Sequence, residues 1–159
     1  RLCRDWSSDV CSSDLAAITT DFIVGFPGES AADHAQSMAL VREVCFDAAF
    51  TFAYSPRSGT PAADLSEQLT AEEKNARLRE LIALVNESSL QRNTVLVGKV
   101  VSVLVEGTSK TDAGRLTGRT SSNKLVHFAG PISLTGSIAE VRITTAQTWH
   151  LLGDLLVKE

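Results

Sequence analysis

The sequence has few cysteines and no long apolar run. None of its hydrophobic stretches approaches the roughly 20 residues that a membrane-spanning helix needs, so we expect no membrane partner. The three cysteines, Cys3, Cys11 and Cys45, are odd in number and widely spaced. This spacing argues against a disulfide framework and matches no zinc-ribbon or cluster motif. A reducing, cytoplasmic location is the simplest interpretation.

The first fifteen residues also lack any helical or strand periodicity. A signal peptide needs a central apolar run, and this segment has none. We interpret residues 1–15 as a non-native leader, such as a translated cloning scar, and leave them out of the fold prediction. Cys3 and Cys11 are therefore not proposed as ligands. The remaining length corresponds to one or two small domains.

A strand–turn–helix segment organises the first half of the chain. The apolar run that ends at Val24 predicts a buried strand, covered on both faces as in a parallel sheet. Gly25, Pro27 and Gly28 then break the strand, and Ser30 is a helix N-cap. In α/β folds ligands gather at such turns, beyond the carboxyl ends of parallel strands.

A second strand follows that helix, which we expect to end near Cys45. Residues 48–54 alternate in the manner of a strand, so the segment reads as a βαβ unit with two parallel strands. The loop Ser55–Pro61 should then lie at the same end of the sheet as the turn Gly25–Glu29. Thr70 and Glu73 form a predicted capping box for a helix that runs to about Gln91, with an apolar stripe that includes Leu81 and Ile82.

From Val95 onward the hydrophobic period changes to two. We predict five short strands, which are Val95–Glu106, Arg115–Thr120, Leu125–Phe128, Ser137–Thr144 and Trp149–Val157. The predicted breakers are glycines, namely Gly107, Gly114, Gly118, Gly130 and Gly136. Five strands in about 65 residues indicate a small closed barrel of the oligonucleotide-binding kind. From Thr94 the charge is about +2, whereas the rest of the chain carries about −6, a weak sign of an anionic partner for the tail.

These segments together resemble the C-terminal part of the radical S-adenosylmethionine methylthiotransferases, most closely the tRNA-modifying class. The motifs are DFIVGFPGE at 21–29, FTFAYSPRSGTPAA at 50–63, VLVEGTSK at 103–110 and LTGRTSSNK at 116–124. The resemblance implies an α/β fold class: the C-terminal part of a radical-SAM partial (β/α) barrel at 16–93. A small five-stranded all-β barrel, the OB-like TRAM RNA-binding domain, would follow at 94–159.

The resemblance also implies an activity. The family transfers a methylthio group to N6-isopentenyladenosine beside the tRNA anticodon, using S-adenosylmethionine and [4Fe–4S] clusters. A CxxxCxxC motif holds the radical cluster in that family, and this sequence has none. We therefore expect a fragment that is inactive alone, with no catalytic residue and no metal ligand of its own. Its expected partner is tRNA, not DNA and not a membrane.

Seven residues are the predicted S-adenosylmethionine contacts. The resemblance assigns this role to Gly25, Pro27, Gly28, Glu29, Tyr54, Ser55 and Arg57. Glycines allow close approach of the backbone to a ligand, an aromatic ring can stack on adenine, and an arginine can meet a carboxylate. Glu29 or Ser30 would meet ribose or amino groups. The alternative is a plain βα turn with an aromatic cover and a solvated arginine.

Four basic residues of the predicted barrel are the expected RNA contacts. Lys110, Arg115, Arg119 and Lys124 lie near turns of adjacent strands and would form one face that follows a phosphate backbone. The alternative is an ordinary scatter of solvated charges. We expect Phe128 in the core, although Phe128 or His127 could stack on a base.

Two other functions stay open at this point. The sister class of the family methylthiolates a ribosomal protein, and a non-enzymatic RNA-binding module is a further possibility. We also expect the isolated chain to be unstable and to aggregate, because a severed parallel sheet exposes an edge and apolar faces.

Overall fold

The computed structural model describes residues 16–110 and 112–156. The chain divides into two compact units, one containing Ile18–Ser88 and the other beginning at Ser89. No helix among the described residues combines the length and apolar character needed to cross a membrane.

The first unit contains the predicted βαβ arrangement. Strand β1 (Thr19–Val24) leads to helix α1 (Ala31–Val44), strand β2 (Ala48–Ala53), a 3₁₀ turn at Pro61–Ala63 and helix α2 (Ala71–Thr94), whose last residues belong to the second unit. The two strands pair in parallel, from Thr19 opposite Ala48 to Val24 opposite Ala53. The predicted parallel pairing is therefore confirmed.

One face of this two-stranded sheet packs on the helices. Phe22 and Val24 point to the same side because alternate residues of a strand share a face. They pack with Val41 of α1, Leu81 of α2 and Phe46, whose ring meets that of Phe22 edge to face at 5.7 Å.

The other face of the sheet is open. Ile23 is 60 % exposed, and its neighbours on β2, Phe50 and Phe52, are 67 % and 51 % exposed. The prediction of a strand covered on both faces is therefore wrong for this chain. Ile82, assigned to a buried helical stripe, is also exposed, and so is Leu40 on α1, since the covered faces of α1 and α2 are those that meet Phe22 and Val24.

Both predicted helix caps are present. The Ser30 Oγ accepts from the Asp33 amide at 3.2 Å, and the Ser30 amide donates to the Asp33 carboxylate at 2.9 Å. Thr70 and Glu73 repeat this box with distances of 3.2 and 2.9 Å.

Cys45 caps the C-terminal end of α1 with φ of 53° and is buried. It is disulfide-bonded, contrary to the argument from cysteine spacing. Cys3 and Cys11, which the sequence analysis did not propose as ligands, lie outside the described residues.

The second unit is a closed five-stranded barrel, as predicted. Its strands are β3 (Val100–Thr108), β4 (Leu116–Thr120), β5 (Leu125–Ala129), β6 (Ile138–Ala146) and β7 (Leu151–Leu155). They close in the order β3-β4-β5-β7-β6, with only the β5–β7 pair parallel. Phe128 is fully buried among aliphatic side chains from the surrounding strands, which confirms its place in the core.

Two glycines predicted as breakers lie inside strands. Gly107 occupies an irregularity in the β3–β4 register and has φ of 144°. Gly118 lies in the middle of β4, where a Cβ would stand 2.4 Å from the Leu104 carbonyl oxygen. These residues permit bending and close packing of the barrel wall instead of ending a strand.

Candidate functional site

The two loops of the predicted ligand site lie at the same end of the β1–β2 sheet. The Tyr54 amide donates to the Val24 carbonyl oxygen at 2.8 Å, directly where both strands end. Beyond this bond the Phe26 and Tyr54 rings meet at 5.1 Å and 66°. The turn Gly25–Glu29 and the loop Ser55–Pro61 can therefore contribute to one site.

The turn requires glycine at two positions. Gly25 and Gly28 have φ of 72° and 81°, in the left-handed region that L side chains rarely adopt. A Cβ on Gly25 would lie 2.5 Å from Lys74 Cγ, and one on Gly28 would lie 2.8 Å from a Glu67 carboxylate oxygen. The close packing of α2 and of the 64–70 segment thus leaves no space for a side chain at Gly25 or Gly28, in addition to the backbone requirement.

Glu29 folds back on its own turn. Its Oε2 accepts hydrogen bonds from the amides of Gly25 and Phe26, the latter at 3.2 Å. Its Oε1 lies 3.3 Å from Arg77 Nη1, which also donates to the Glu29 carbonyl oxygen at 2.8 Å. The carboxylate is committed to these groups, and Ser30 is committed to its cap. The ligand contacts predicted for Glu29 and Ser30 stay predictions, and a ligand hydroxyl would have to share these groups with the existing hydrogen bonds.

Arg77 and His34 are parts of this network that sequence reasoning missed. His34 is buried, with its Nε2 3.1 Å from Glu80 Oε2 and its Nδ1 3.6 Å from Glu29 Oε1. Both residues lie within amphipathic helices, where a charged or imidazole side chain usually faces solvent. Only the packing of α1 and α2 beside the turn brings them to Glu29.

Tyr54 is partly enclosed by α2. Lys74 Nζ lies 5.1 Å from the centre of its ring, a cation–π arrangement, and the Tyr54 hydroxyl is buried without a hydrogen-bond partner in the described part of the chain. By contrast Phe26, Ser55 and Arg57 are exposed. The turn therefore has a buried frame, formed by Gly25, Pro27 and Glu29, and an exposed rim.

On the barrel, alternate residues of β4 face outward. Leu116, Gly118 and Thr120 are buried, whereas Arg119 is exposed. Arg119 Nε lies 3.4 Å from Glu106 Oε1, and its Nη1 donates to the Asn123 backbone and side-chain oxygens at 3.1 Å. Arg115 Nε, just before β4, lies 3.2 Å from Asp112 Oδ2. Both arginine side chains remain 43 % exposed, so these pairs leave guanidinium surface open.

The four predicted RNA contacts divide into two groups. Lys110 and Arg115 lie in the connection that precedes β4, and Arg119 and Lys124 lie at its far end. Lys124 Nζ donates to Asn93 Oδ1 at 3.0 Å. Since strands rise about 3.3 Å per residue, Arg115 and Arg119 are roughly 13 Å apart along β4. The basic residues thus bracket one strand instead of clustering at one turn.

No group of three potential metal ligands occurs among residues 16–110 and 112–156.

Comparison with known proteins gives a consistent result for both units. Residues 94–156 match the family model of the TRAM domain. The chain is 54 % identical over 140 residues to the tRNA-2-methylthio-N(6)-dimethylallyladenosine synthase of Moorella thermoacetica, covering 88 % of this chain and 32 % of that protein. Proteins of the same name from Thermoanaerobacter sp. and Halalkalibacterium halodurans are 50 % identical over 88 % and 89 % of this chain. The chain spans 30 % and 26 % of those two relatives' length.

Proposed function

We propose that this chain belongs to the family of tRNA-2-methylthio-N(6)-dimethylallyladenosine synthases and carries the RNA-docking domain and part of the cosubstrate site of such an enzyme. The supporting observation is identity of 48–54 % to these synthases over both units. The enzyme would add a methylthio group to N6-isopentenyladenosine next to the tRNA anticodon. The relatives' names specify tRNA, so they favour this substrate over a ribosomal protein and over a purely binding role.

The βαβ unit is proposed as the C-terminal part of a radical-SAM partial barrel. In barrels of parallel strands one sheet face carries the helices and the other lines the interior. The arrangement of β1 and β2 fits this division, because Phe22 and Val24 pack on the helices and Phe50 and Phe52 lie bare on the other face. The bare face would then be interior wall.

S-adenosylmethionine is the proposed ligand of the turn. Gly25, Pro27 and Glu29 would shape the backbone, and Gly28, Tyr54, Ser55 and Arg57 would meet the ligand. An exposed guanidinium suits the carboxylate of its methionine part, and the Phe26 and Tyr54 rings suit its adenine. When bound, S-adenosylmethionine supplies the carbon radical of this reaction class.

The described residues do not fit an iron–sulfur cluster. Such clusters need several thiolates, and Cys45 is buried at the end of α1 and disulfide-bonded. We therefore derive no step through the cluster and propose that its ligands belong to other parts of the full-length enzyme. Cytoplasmic location likewise stays a prediction.

The barrel is the proposed tRNA contact. Phosphates along β4 would be bound by Lys110, Arg115, Arg119 and Lys124. Binding should weaken as the salt concentration rises, because the release of counterions from the RNA then contributes less free energy. The expected experiment is fluorescence anisotropy of fluorescein-labelled tRNA with the 159-residue chain over a range of KCl concentrations. A Lys110→Glu/Arg119→Glu double variant should bind at least tenfold more weakly, and the slope of log affinity against log salt should fall by about 2.

Arg142→Glu is the matched control for that experiment. Arg142 is an exposed arginine on β6, and in the barrel order β6 is not adjacent to β4. Arg142→Glu changes the net charge by the same amount as either test substitution alone. We expect it to reduce the affinity for tRNA much less. Equal losses for Arg142→Glu and Arg119→Glu would show non-specific attraction and remove the support for a defined RNA surface.

A further inference from the structure

A pocket opens on the outer surface of the barrel beside the basic residues of β4. It has a volume of about 420 Å³ and is lined by Ser109, Asp112, Arg115, His127, His150 and Leu152. The pairing of β5 with β4 and β7 brings residues of this pocket together. His127 on β5 lies opposite Thr117 on β4 and opposite Leu152 on β7. Since Val126 and Phe128 are buried in the core, His127 between them points outward.

Two imidazole rings form the aromatic part of this pocket. The rings of His127 and His150 meet edge to face, with centroids 5.1 Å apart and an interplanar angle of 74°. His127 Nδ1 is buried and has no hydrogen-bond partner among the described residues. Burial lowers the pKa of His127, and the nearby His150 and Arg115 lower it further, whereas Asp112 acts in the opposite direction. The His127 ring is therefore neutral at neutral pH.

The remaining lining groups restrict what the pocket can accept. Leu152 contributes an apolar surface, and the Asp112 carboxylate disfavours a bare phosphate inside the pocket. Arg115, whose Nε is 3.2 Å from Asp112, keeps a 43 % exposed side chain. An imidazole face with a second ring at its edge, hydrogen-bonding groups beside it and an exposed cation match a nucleobase whose phosphate stays outside.

We propose that this pocket receives one unstacked nucleobase of the bound RNA, which stacks on the His127 ring and meets the His150 ring at its edge. The inference rests on the proposed function, because it needs the barrel to contact RNA. The pocket also has the position such a role requires: His127 pairs with Thr117, which lies on β4 between Arg115 and Arg119. Phosphates on either side of the inserted base would thus lie near the two cationic ends of β4.

The test uses the 159-residue chain and fluorescein-labelled tRNA at pH 7.5, where His127 is neutral. His127→Ala should weaken binding by about tenfold, in line with the loss of one base-stacking contact. His127→Phe should retain most of the affinity, because a phenyl ring stacks as well. The salt slope should stay the same in both variants, since no phosphate contact is removed.

His150→Ala provides a second, independent variant, with an expected loss of several-fold. Thermal unfolding followed by circular dichroism checks that each variant stays folded. Tight binding of His127→Ala, or a loss in His127→Phe as large as in His127→Ala, would overturn the stacking proposal. If Arg119→Glu still weakens tRNA binding in that case, only the stacking proposal fails and the proposed RNA surface remains supported. Absence of any tRNA binding by the parent chain would overturn both proposals.

Discussion

The Glu29 carboxylate is the residue-scale feature on which the shape of the β1–α1 turn depends. It accepts from two successive backbone amides and pairs with Arg77, while its side chain is only 12 % exposed. Hydrogen bonds to a charged group are stronger than neutral ones, and an unpaired partner left behind costs further free energy. Glu29 thus stabilises the turn from within.

Replacing Glu29 with glutamine should lower the free energy of unfolding of the first unit by about 2 kcal/mol. The amide keeps the volume but loses the ion pair to Arg77. Urea unfolding followed by circular dichroism at 222 nm measures this, because the long helices α1 and α2 include most of that unit's ordered residues.

Glu43→Gln serves as the control for that substitution. Glu43 is an exposed residue of α1, and its replacement should change the free energy of unfolding by no more than about 0.5 kcal/mol. Identical midpoints for the parent chain and Glu29→Gln would mean that the carboxylate contributes nothing to the turn.

At the scale of the elements, the two capping boxes fix where helices α1 and α2 begin. Each box satisfies amides that the first helical turn leaves without partners. The hydrogen bonds from Thr70 to the Glu73 carboxylate lower the pKa of Glu73, and those from Ser30 lower the pKa of Asp33. A lowered carboxyl pKa stabilises the folded state above the ordinary pKa near 4, and this contribution disappears as pH falls through the lowered value.

Thr70→Ala should therefore destabilise the chain by about 1 kcal/mol at pH 7, and by less at pH 3. Urea unfolding at the two pH values, again at 222 nm, gives the comparison. Thr70→Ser keeps the hydroxyl and should behave like the parent chain at both values. A Thr70→Ala deficit that does not change between pH 7 and pH 3 would contradict the proposed contribution of the Glu73 carboxylate.

At the scale of the whole molecule, we expect the bare face of the β1–β2 sheet to cause self-association. Large aromatic side chains side by side on an exposed parallel sheet are typical of an interface or of an aggregation-prone surface. The alternation along β2 places Phe50 and Phe52 together on that face.

Substituting both phenylalanines with serine should reduce the self-association of the 159-residue chain severalfold, as measured by light scattering at increasing concentration. Because both side chains are already exposed, the substitutions remove little buried surface. Trp149→Ser is the matched control: Trp149 is 63 % exposed but lies outside the sheet, and its loss should leave the scattering unchanged. Equal scattering by the Phe50→Ser/Phe52→Ser variant and the parent chain would show that another surface causes association.

Local sequence signals predicted most of the elements correctly. The capping residues, the parallel βαβ unit and the five barrel strands depend on hydrophobic period and on side chains a few residues apart, which can be read directly from the chain. Strand ends were less accurate: β3 begins at Val100 instead of Val95, because the segment after α2 forms a turn in which the Leu96 amide bonds to the Asn93 carbonyl oxygen. Gly118 was misassigned because the close approach of the Leu104 carbonyl is a long-range contact.

The amino-acid order alone was sufficient for the element types, the closed barrel and the choice of glycine at 25 and 28, because these follow from backbone geometry and local periodicity. It could not show that Arg77 pairs with Glu29, or that His127 and His150 share a pocket. These two contacts join residues 48 and 23 positions apart, so they exist only once packing and strand register bring the side chains together.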